Sequence, residues 1–371
     1  MKIKIGFVNF DMSIRGGGQQ VLCNIANALA DVDPRWEKYE IYVISLIHEK
    51  GDCAYELREG IHYYNIFPYK ARIREVMSKS GKCFRRYCEE QGIGLLFYVG
   101  VYAGFCAGIP GRKLGIPKVF CDHGALMNQW DDIVVRFMRR MGSRYSDRTV
   151  VLTRQSENAY YEKFHYQPGR VITIYNWIDD VILRETGDYD ADSRKILTAG
   201  RFSREKGMDL LVDTAAALQK KTKDFVWEVY GDGELWEEIR QRIREEGLEE
   251  YVKLMGLTNE MERCYRGHSM YVLTSYREGL PLVLLEAKAN YLPLVSFDIV
   301  SGPGEIIENG TDGILIPPYD TEEMACQIYE LLCSQEKRIR MSECSGRNLK
   351  EFGKEKILSQ WMALIEDMVS G

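Results

Sequence analysis

One arrangement occurs twice in this chain and limits its fold more than any other feature. An apolar run is followed by a polar, glycine-bearing loop and then by a segment with helical apolar spacing. The first instance opens with Lys2–Asn9 (KIKIGFVN), passes through Arg15–Gly18 (RGGG) and continues with Val21, Leu22, Ile25 and Leu29. The second opens with Lys195–Gly200 (KILTAG) and continues with Leu210, Leu211, Ala215 and Leu218. A strand feeding a glycine turn and then an amphipathic helix is the opening unit of a doubly wound parallel sheet. Two such openings in 371 residues predict two α/β domains of about 180 residues each, because one core of this kind stops growing well before that length.

The remaining pattern agrees. In the first half the strand candidates are Ile41–Leu46, Leu95–Val99, Lys118–Cys121, Thr149–Leu152 and Val171–Ile174. In the second they are Trp227–Tyr230, Val252–Leu254, Met270–Thr274, Leu294–Phe297 and Gly313–Ile316, with helical segments between them. The acidic stretch Tyr175–Asp192 reads as the joint, and Lys354–Met368 as a closing helix with Ile357, Trp361, Leu364 and Ile365 on one side. Hydrophobic residues at 45% and charged residues at 28% suit two globular cores. No run reaches the roughly 20 apolar residues that span a bilayer, and the N-terminal apolar stretch ends at Asn9 and Asp11, too early for a secretion signal. The expected location is cytoplasmic. Ten cysteines lie scattered without a CxxC pair, and no histidine cluster has metal-ligand spacing, so neither disulfides nor a metal site is expected. Residues 1–180 carry 25 Lys and Arg against 20 Asp and Glu, while the remainder carries 24 against 35. A basic front half on an acidic chain points to an anionic partner such as phosphate or a membrane surface, and nothing points to nucleic acid.

Chemistry concentrates in a few loops. In REGLPLVLLEAKAN, Pro281 suits the first turn of a helix, which places Gly279 and Leu280 at a helix N-terminus and Glu278 in the loop before it. Free amides there attract phosphate or a developing anion. Glu286, eight positions after Glu278, falls about two turns along on a similar azimuth, and paired carboxylates accept hydroxyl groups from sugars. In AGRFSREKGMDLL, Arg201 and Lys206 flank a tight loop at a strand end, where a guanidinium and an ammonium can clamp a diphosphate. Gly231 and Gly233 in YGDGE allow close backbone approach, and Gly302–Asp320 supplies a further glycine-proline loop. In the first half, the amides of RGGG can meet phosphate, although no P-loop or GxGxxG is present. CDHGAL sets Asp122 and His123 at a strand end, where a neutral imidazole can hydrogen-bond a sugar hydroxyl. Each motif alone is also what an ordinary solvated turn or helix carries.

Taken in order, these motifs resemble family 4 of the glycosyltransferases, whose architecture of two Rossmann-like domains facing across a cleft is called GT-B. The second half matches nearly throughout: GRFSREKG, YGDGE, the GL step at Gly256–Leu257, and the E-x7-E motif at Glu278–Glu286. The first half matches at the glycine loop, at CDHG and at NWID (Asn176–Asp179), which is similar to the family's hinge. Gln19 stands where the family often has Glu, and Trp177 where it often has Gly. The resemblance implies an acceptor-binding domain over 1–178, joined by the closing helix 354–371, and a donor-binding domain over 179–353. It implies a retaining, metal-independent transferase that takes a nucleotide-diphosphate sugar and needs no cofactor. Arg201 and Lys206 then match the residues that hold the diphosphate, and Glu286 the one that holds the ribose. Glu278 and His123 match positions by the donor sugar, and Gly16 and Gly17 the glycine pair near phosphate and acceptor. Gly231, Leu257, Gly279, Leu280 and Leu282 fall among the substrate-binding positions. The acceptor attacks from the leaving-group face, the departing phosphate oxygen takes its proton, and no protein nucleophile is required.

Two basic segments bear on the acceptor. Residues 70–86 hold Lys70, Arg72, Arg74, Lys79, Lys82, Arg85 and Arg86 against Glu75, with Ile73, Val76, Met77 and Phe84 interleaved. The second, 136–148, holds Arg136, Arg139, Arg140, Arg144 and Arg148. Basic amphipathic faces can lie on anionic lipid. The resemblance is to a family many of whose bacterial members extend polyprenyl-diphosphate sugars at the inner membrane face, and it implies peripheral contact there and a glycan or polyprenyl-linked acceptor. The SGPGEII loop resembles that of members using UDP-hexoses or UDP-N-acetylhexosamines, which makes UDP the expected carrier and GDP the next. The rival readings are a sugar-nucleotide epimerase or phosphorylase of the same architecture and a non-catalytic sugar-nucleotide-binding protein.

Overall fold

The computed structural model describes residues 2–32, 38–67, 69–71, 73–184 and 186–370. Arg72, one of the basic residues of the 70–86 segment, lies outside them. The chain forms two compact units, one running to Tyr175 and resumed from Ile357, the other spanning Asn176–Lys356.

The first unit is built on seven strands: β1 (Ile3–Asp11), β2 (Tyr39–Ile47), β3 (His62–Asn65), β4 (Leu95–Val99), β5 (Lys118–Asp122), β6 (Arg148–Val151) and β7 (Val171–Thr173). Their order is β3-β2-β1-β4-β5-β6-β7, and every neighbouring pair is parallel. Helices cover both faces of such a sheet, so inner strands read as unbroken apolar runs. β4, LLFYV, is buried at every position. β3 escapes the sequence pattern because it lies at the sheet edge, where His62 and Tyr64 are exposed. The closing helix, Lys354–Ser370, belongs to this unit from Ile357 onward. Trp361 is buried against Phe97 at 5.7 Å between ring centroids, and Lys38–Glu366 at 2.6 Å and Arg148–Asp367 at 3.3 Å tie the helix down. Burying an indole is worth roughly 4 kcal/mol before the entropy of fixing the helix is subtracted.

The second unit repeats the plan with β8 (Lys195–Ala199), β9 (Val226–Tyr230), β10 (Val252–Gly256), β11 (Met270–Leu273), β12 (Leu294–Phe297) and β13 (Gly313–Ile316). These pair in parallel in the order β10-β9-β8-β11-β12-β13. Trp227 is wholly buried in its core and donates from Nε1 to Thr198 Oγ1 at 3.0 Å, so the one polar atom of the indole is satisfied.

In each sheet the chain reverses direction of travel beside its first strand, between β1 and β4 and between β8 and β11. Open parallel sheets hold ligands outside the carboxyl ends of the strands at this switch point. Two loops flank it in the second unit, Gly200–Gly207 after β8 and Thr274–Pro281 after β11. Among the described residues no helix is long and apolar enough to cross a membrane.

Candidate functional site

The Gly200–Gly207 loop is fixed by its neighbours before any ligand arrives. Gly200 N donates to Tyr230 O at 2.9 Å, and Phe202 N to Asp232 O at 2.9 Å. Phe202 is fully buried, 4.8 Å from the Trp236 ring, which sets the backbone on which Arg201 stands. Gly231 has φ +137°, and a Cβ there would lie 1.9 Å from Gly200 O. The glycine is therefore required by the approach of one loop to another, whatever else it contacts. Gly207 ends the short turn Arg204–Lys206 with φ +60°, and a Cβ there would meet Thr274 O at 2.0 Å. Tyr276 N donates to Glu205 O at 2.9 Å, so the two loops of the switch point are laced together.

Lys206 and Glu278 meet in this lacing. Lys206 Nζ lies 2.7 Å from Glu278 Oε1, and Ser275 Oγ donates to the same oxygen at 2.6 Å. Glu278 is buried, while Lys206 keeps 29% of its side chain exposed. The pair thus presents its cationic end to solvent. The helix beyond runs Leu282–Ala289 with Pro281 as its N-cap, one residue later than the sequence suggests. Proline fits the cap position here because its own ψ of 101° is extended, which the cap requires. Gly279 and Leu280 consequently precede the helix, and the unpaired amides at its start are those of Leu282 and Val283, since Leu284 N donates to Pro281 O at 3.0 Å. Glu278 stands off the helix, so its supposed shared azimuth with Glu286 does not hold. The loop is backed by Gly302 (φ +101°), where a Cβ would lie 2.7 Å from Pro281 Cδ and 2.9 Å from Gly279 O.

Glu286 is held separately. Tyr265 donates its hydroxyl to Glu286 Oε2 at 2.5 Å. Burial pushes the Glu286 carboxyl upward, Asp179 adds to the rise, and the Tyr265 bond opposes it. Both Glu278 and Glu286 help raise the Tyr271 hydroxyl, after burial, so the two carboxylates share this tyrosine as a neighbour. Tyr271 in turn bridges to Ala199 O at 3.0 Å at the end of β8. Leu257, just past β10, exposes 77% of its surface. Two residues beyond Glu286, Lys288 is wholly buried and paired with Asp312, which locks the helix to the β12–β13 connection.

In the first unit the glycine loop leads into the Gly17–Val32 helix. Gln19 Nε2 donates to Asp11 O at 3.0 Å, and a Cβ on Gly16 would lie 2.6 Å from Gln19 Oε1. The side chain that departs from the family's usual glutamate therefore closes the loop on itself. Nothing lies within 4 Å of a Cβ built on Gly17 or Gly18. His123 follows β5. Neither ring nitrogen has a partner among the described residues, and burial lowers the imidazole to about 4, with Asp122 opposing, so it is neutral near pH 7. Asp122 is fully buried and structural: it lies 2.9 Å from Arg139 Nε and accepts from Tyr160 OH at 2.7 Å and Gly124 N at 3.1 Å. A Cβ on Gly124 would meet Arg139 Nη2 at 2.5 Å, so this glycine makes room for the guanidinium.

Residues 15–181 match the family model described as Glycosyltransferase Family 4, and residues 182–346 the one described as Glycosyl transferases group 1. The chain belongs to the family 4 glycosyltransferases. An uncharacterized glycosyltransferase of Haemophilus influenzae is 26% identical over 362 residues, 98% of this chain and 99% of its own. The amylovoran biosynthesis glycosyltransferase AmsD of Erwinia amylovora is 28% identical over 252 residues, 66% of this chain and 68% of its own. The GT-B fold is shared with Anabaena HepE, solved in complex with UDP, at a TM-score of 0.80 over 98% of this chain and 100% of that one, with 18% identity.

Several residues of this glycosyltransferase differ in place from the sequence reading. Arg139 is not part of a surface cluster; it is 2% exposed beneath Asp122. Arg148 is paired with Asp367. Along the Ile73–Gln91 helix, Lys79 pairs with Glu75 at 3.0 Å and Arg86 with Glu90 at 2.6 Å, while Lys70 before it pairs with Glu49 at 2.6 Å. Val76 and Phe84 are core residues. Ser275, Tyr265 and Tyr271 are supports that sequence reasoning missed. Ser275 sits three residues before Glu278 and was open to discovery; the tyrosines act across distances that no local pattern marks.

Proposed function

We propose that this glycosyltransferase moves a hexose or N-acetylhexosamine from a UDP-sugar to a glycan or lipid-linked acceptor in polysaccharide or glycoconjugate synthesis, with retention and without metal or cofactor. One observation carries the reading. At the switch point of the second sheet, the Arg201–Lys206 loop and the start of the Leu282–Ala289 helix offer a guanidinium, an ammonium and two unpaired amides beside a pair of carboxylates. That donor set fits a diphosphate carried on a ribose and a sugar.

In the ground state Glu278 neutralises Lys206 and holds it extended. As the glycosidic bond to the diphosphate breaks, charge grows on the leaving phosphate, and Arg201, Lys206 and the amides of Leu282 and Val283 stabilise it. Glu286, with one oxygen occupied by Tyr265, offers the other to the ribose hydroxyls. Leu257 supplies apolar surface to the base, and Gly231, Gly279 and Leu280 shape the backbone around the nucleotide. Neutral His123 hydrogen-bonds a hydroxyl of the transferred sugar, and Gly16 and Gly17 leave room for phosphate and acceptor. The acceptor hydroxyl attacks from the face the diphosphate leaves, a departing phosphate oxygen takes its proton, and the new glycosidic bond keeps the anomeric configuration. HepE's complex with UDP and AmsD's part in amylovoran biosynthesis support the carrier and the pathway class. The reaction is placed at the cytoplasmic side of a membrane.

The test is nucleotide release from a panel of UDP-, GDP- and ADP-sugars without acceptor. Slow release of UDP from one UDP-sugar is expected. Release of GDP or ADP instead would change the carrier, and tight binding without any release would leave a binding subunit rather than a transferase.

A further inference from the structure

We propose that the outward face of the Ile133–Arg144 helix docks this glycosyltransferase onto an anionic lipid bilayer. The helix is strongly two-sided. Met138, Arg139, Gly142 and Ser143 are buried. Gly142 brings it close to the core, since a Cβ there would lie 3.2 Å from Phe120 and 3.3 Å from the Gly104 backbone. The opposite side carries Ile133, Phe137, Arg140 and Arg144 at spacings of four, three and four, which align them in one stripe, with Val134 alongside. Ile133 is 70% exposed, Val134 65% and Phe137 52%. This first turn is fully formed: Asp132 Oδ1 accepts from Val134 N at 2.9 Å and Val135 N at 3.0 Å. Three large apolar side chains are thus held out on a rigid support.

What covers them follows from the charge beside them. The stripe continues into exposed Arg140 and Arg144, and the helix contains no acidic residue. Of the two aspartates ahead of it, Asp132 is engaged in the cap and Asp131 is exposed. An apolar wedge at one end and arginines behind it is the pattern of a helix lying at a membrane interface, with side chains in the acyl boundary and guanidinium groups at anionic headgroups. The proposal deepens the lipid-linked acceptor reading and rests on it for its purpose, because residues 124–132 join His123 directly to this helix.

The full-length chain is tested by co-sedimentation with vesicles of phosphatidylcholine alone and of equal parts phosphatidylcholine and phosphatidylglycerol. Binding to the anionic vesicles is expected to be at least about tenfold stronger, a difference two arginines can supply. The double variant Ile133→Ser/Phe137→Ser should bind anionic vesicles about tenfold more weakly, and Arg140→Glu/Arg144→Glu should lose the anionic preference and its salt dependence. Both should keep the thermal midpoint and the rate of nucleotide release. Reversing Arg74 and Lys82 on the Ile73–Gln91 helix should change binding less than twofold. The proposal is overturned if the wild type ignores anionic vesicles, if the helix variants bind as well as wild type, or if the Arg74/Lys82 variant is the one that fails. It is also overturned if wild type is a dimer that Ile133→Ser/Phe137→Ser makes monomeric, which would identify a second copy as the occupant. Loss of nucleotide release with vesicle binding intact would count against the catalytic reading alone.

Discussion

In the second unit two charged side chains of the candidate donor site are already engaged: Lys206 with Glu278, and Glu286 with Tyr265. In the first unit the corresponding loops end in open valences. Both His123 nitrogens and Asp11 Oδ2 are without partners among the described residues, and the space over Gly17 and Gly18 is clear. Supports differ in the same sense. Glycines in the second unit are required by loop packing on loop, at Gly207, Gly231 and Gly302, whereas Gly124 in the first makes room for a buried ion pair under a histidine that touches no polar group. The contrast fits the two tasks proposed for these loops. A leaving diphosphate is best met by charges fixed in advance, since preorganised groups need no rearrangement as the bond breaks. An acceptor and a transferred sugar are met by groups whose hydrogen bonds the ligands themselves complete, at a cost in stability while the site waits.

Substitutions at Arg139, Lys206, His123 and Glu286 break or sharpen this contrast, in order of expected size. Arg139→Ala leaves Asp122 charged and buried, and should cost about 3–5 kcal/mol in urea unfolding, whereas removing both partners with Asp122→Asn/Arg139→Met should recover much of it. A loss below about 1 kcal/mol would mean the His123 loop does not depend on this pair. Lys206→Ala should slow turnover by about 100- to 1,000-fold at saturating donor, measured by nucleotide release with the fold intact by circular dichroism. Unchanged turnover would place the phosphate elsewhere.

His123→Ala should lower turnover about tenfold while leaving stability at pH 7 nearly unchanged. Its pH signature is more telling. The folded imidazole accepts a proton near 4, against 6.5 when unfolded, so the unfolded chain binds more protons between these values. Stability is therefore complete above 6.5 and falls as pH drops toward 4. The variant should flatten part of that fall, with His268, also lowered by burial, keeping the rest. An identical pH profile for variant and wild type would show that His123 is solvated. Glu286→Gln, which still accepts from Tyr265, should weaken nucleotide binding only a few-fold by calorimetry; Glu286→Ala, which strands a buried hydroxyl, should weaken it more.

How far the sequence carried depended on whether a feature was local. β4 and β12 have the ends their apolar runs mark, because a strand buried on both faces has nothing to alternate with. Edge strand β3 had no such run. Pro281 announced a helix start, yet the identity of a residue does not separate the cap from the first turn, and the helix begins at Leu282 with Gly279 and Leu280 in the loop before it. Arg139 was misread because charge was weighed above phase: on a helical wheel it falls with Met138 and Gly142, away from Ile133 and Phe137. The loops that gather Arg201, Lys206, Glu278 and Glu286 were legible as separate motifs. That Lys206 is held by Glu278, and Glu286 by Tyr265, rests on contacts 72 and 21 residues apart in the chain, which no spacing encodes.

The measurement that bears most directly on this account is a crystal structure of the chain soaked with UDP. The diphosphate should lie within hydrogen-bonding reach of Arg201, Lys206 and the amides of Leu282 and Val283, with the ribose on Glu286. Nucleotide bound away from these groups, or a diphosphate that leaves both cations untouched, would contradict it.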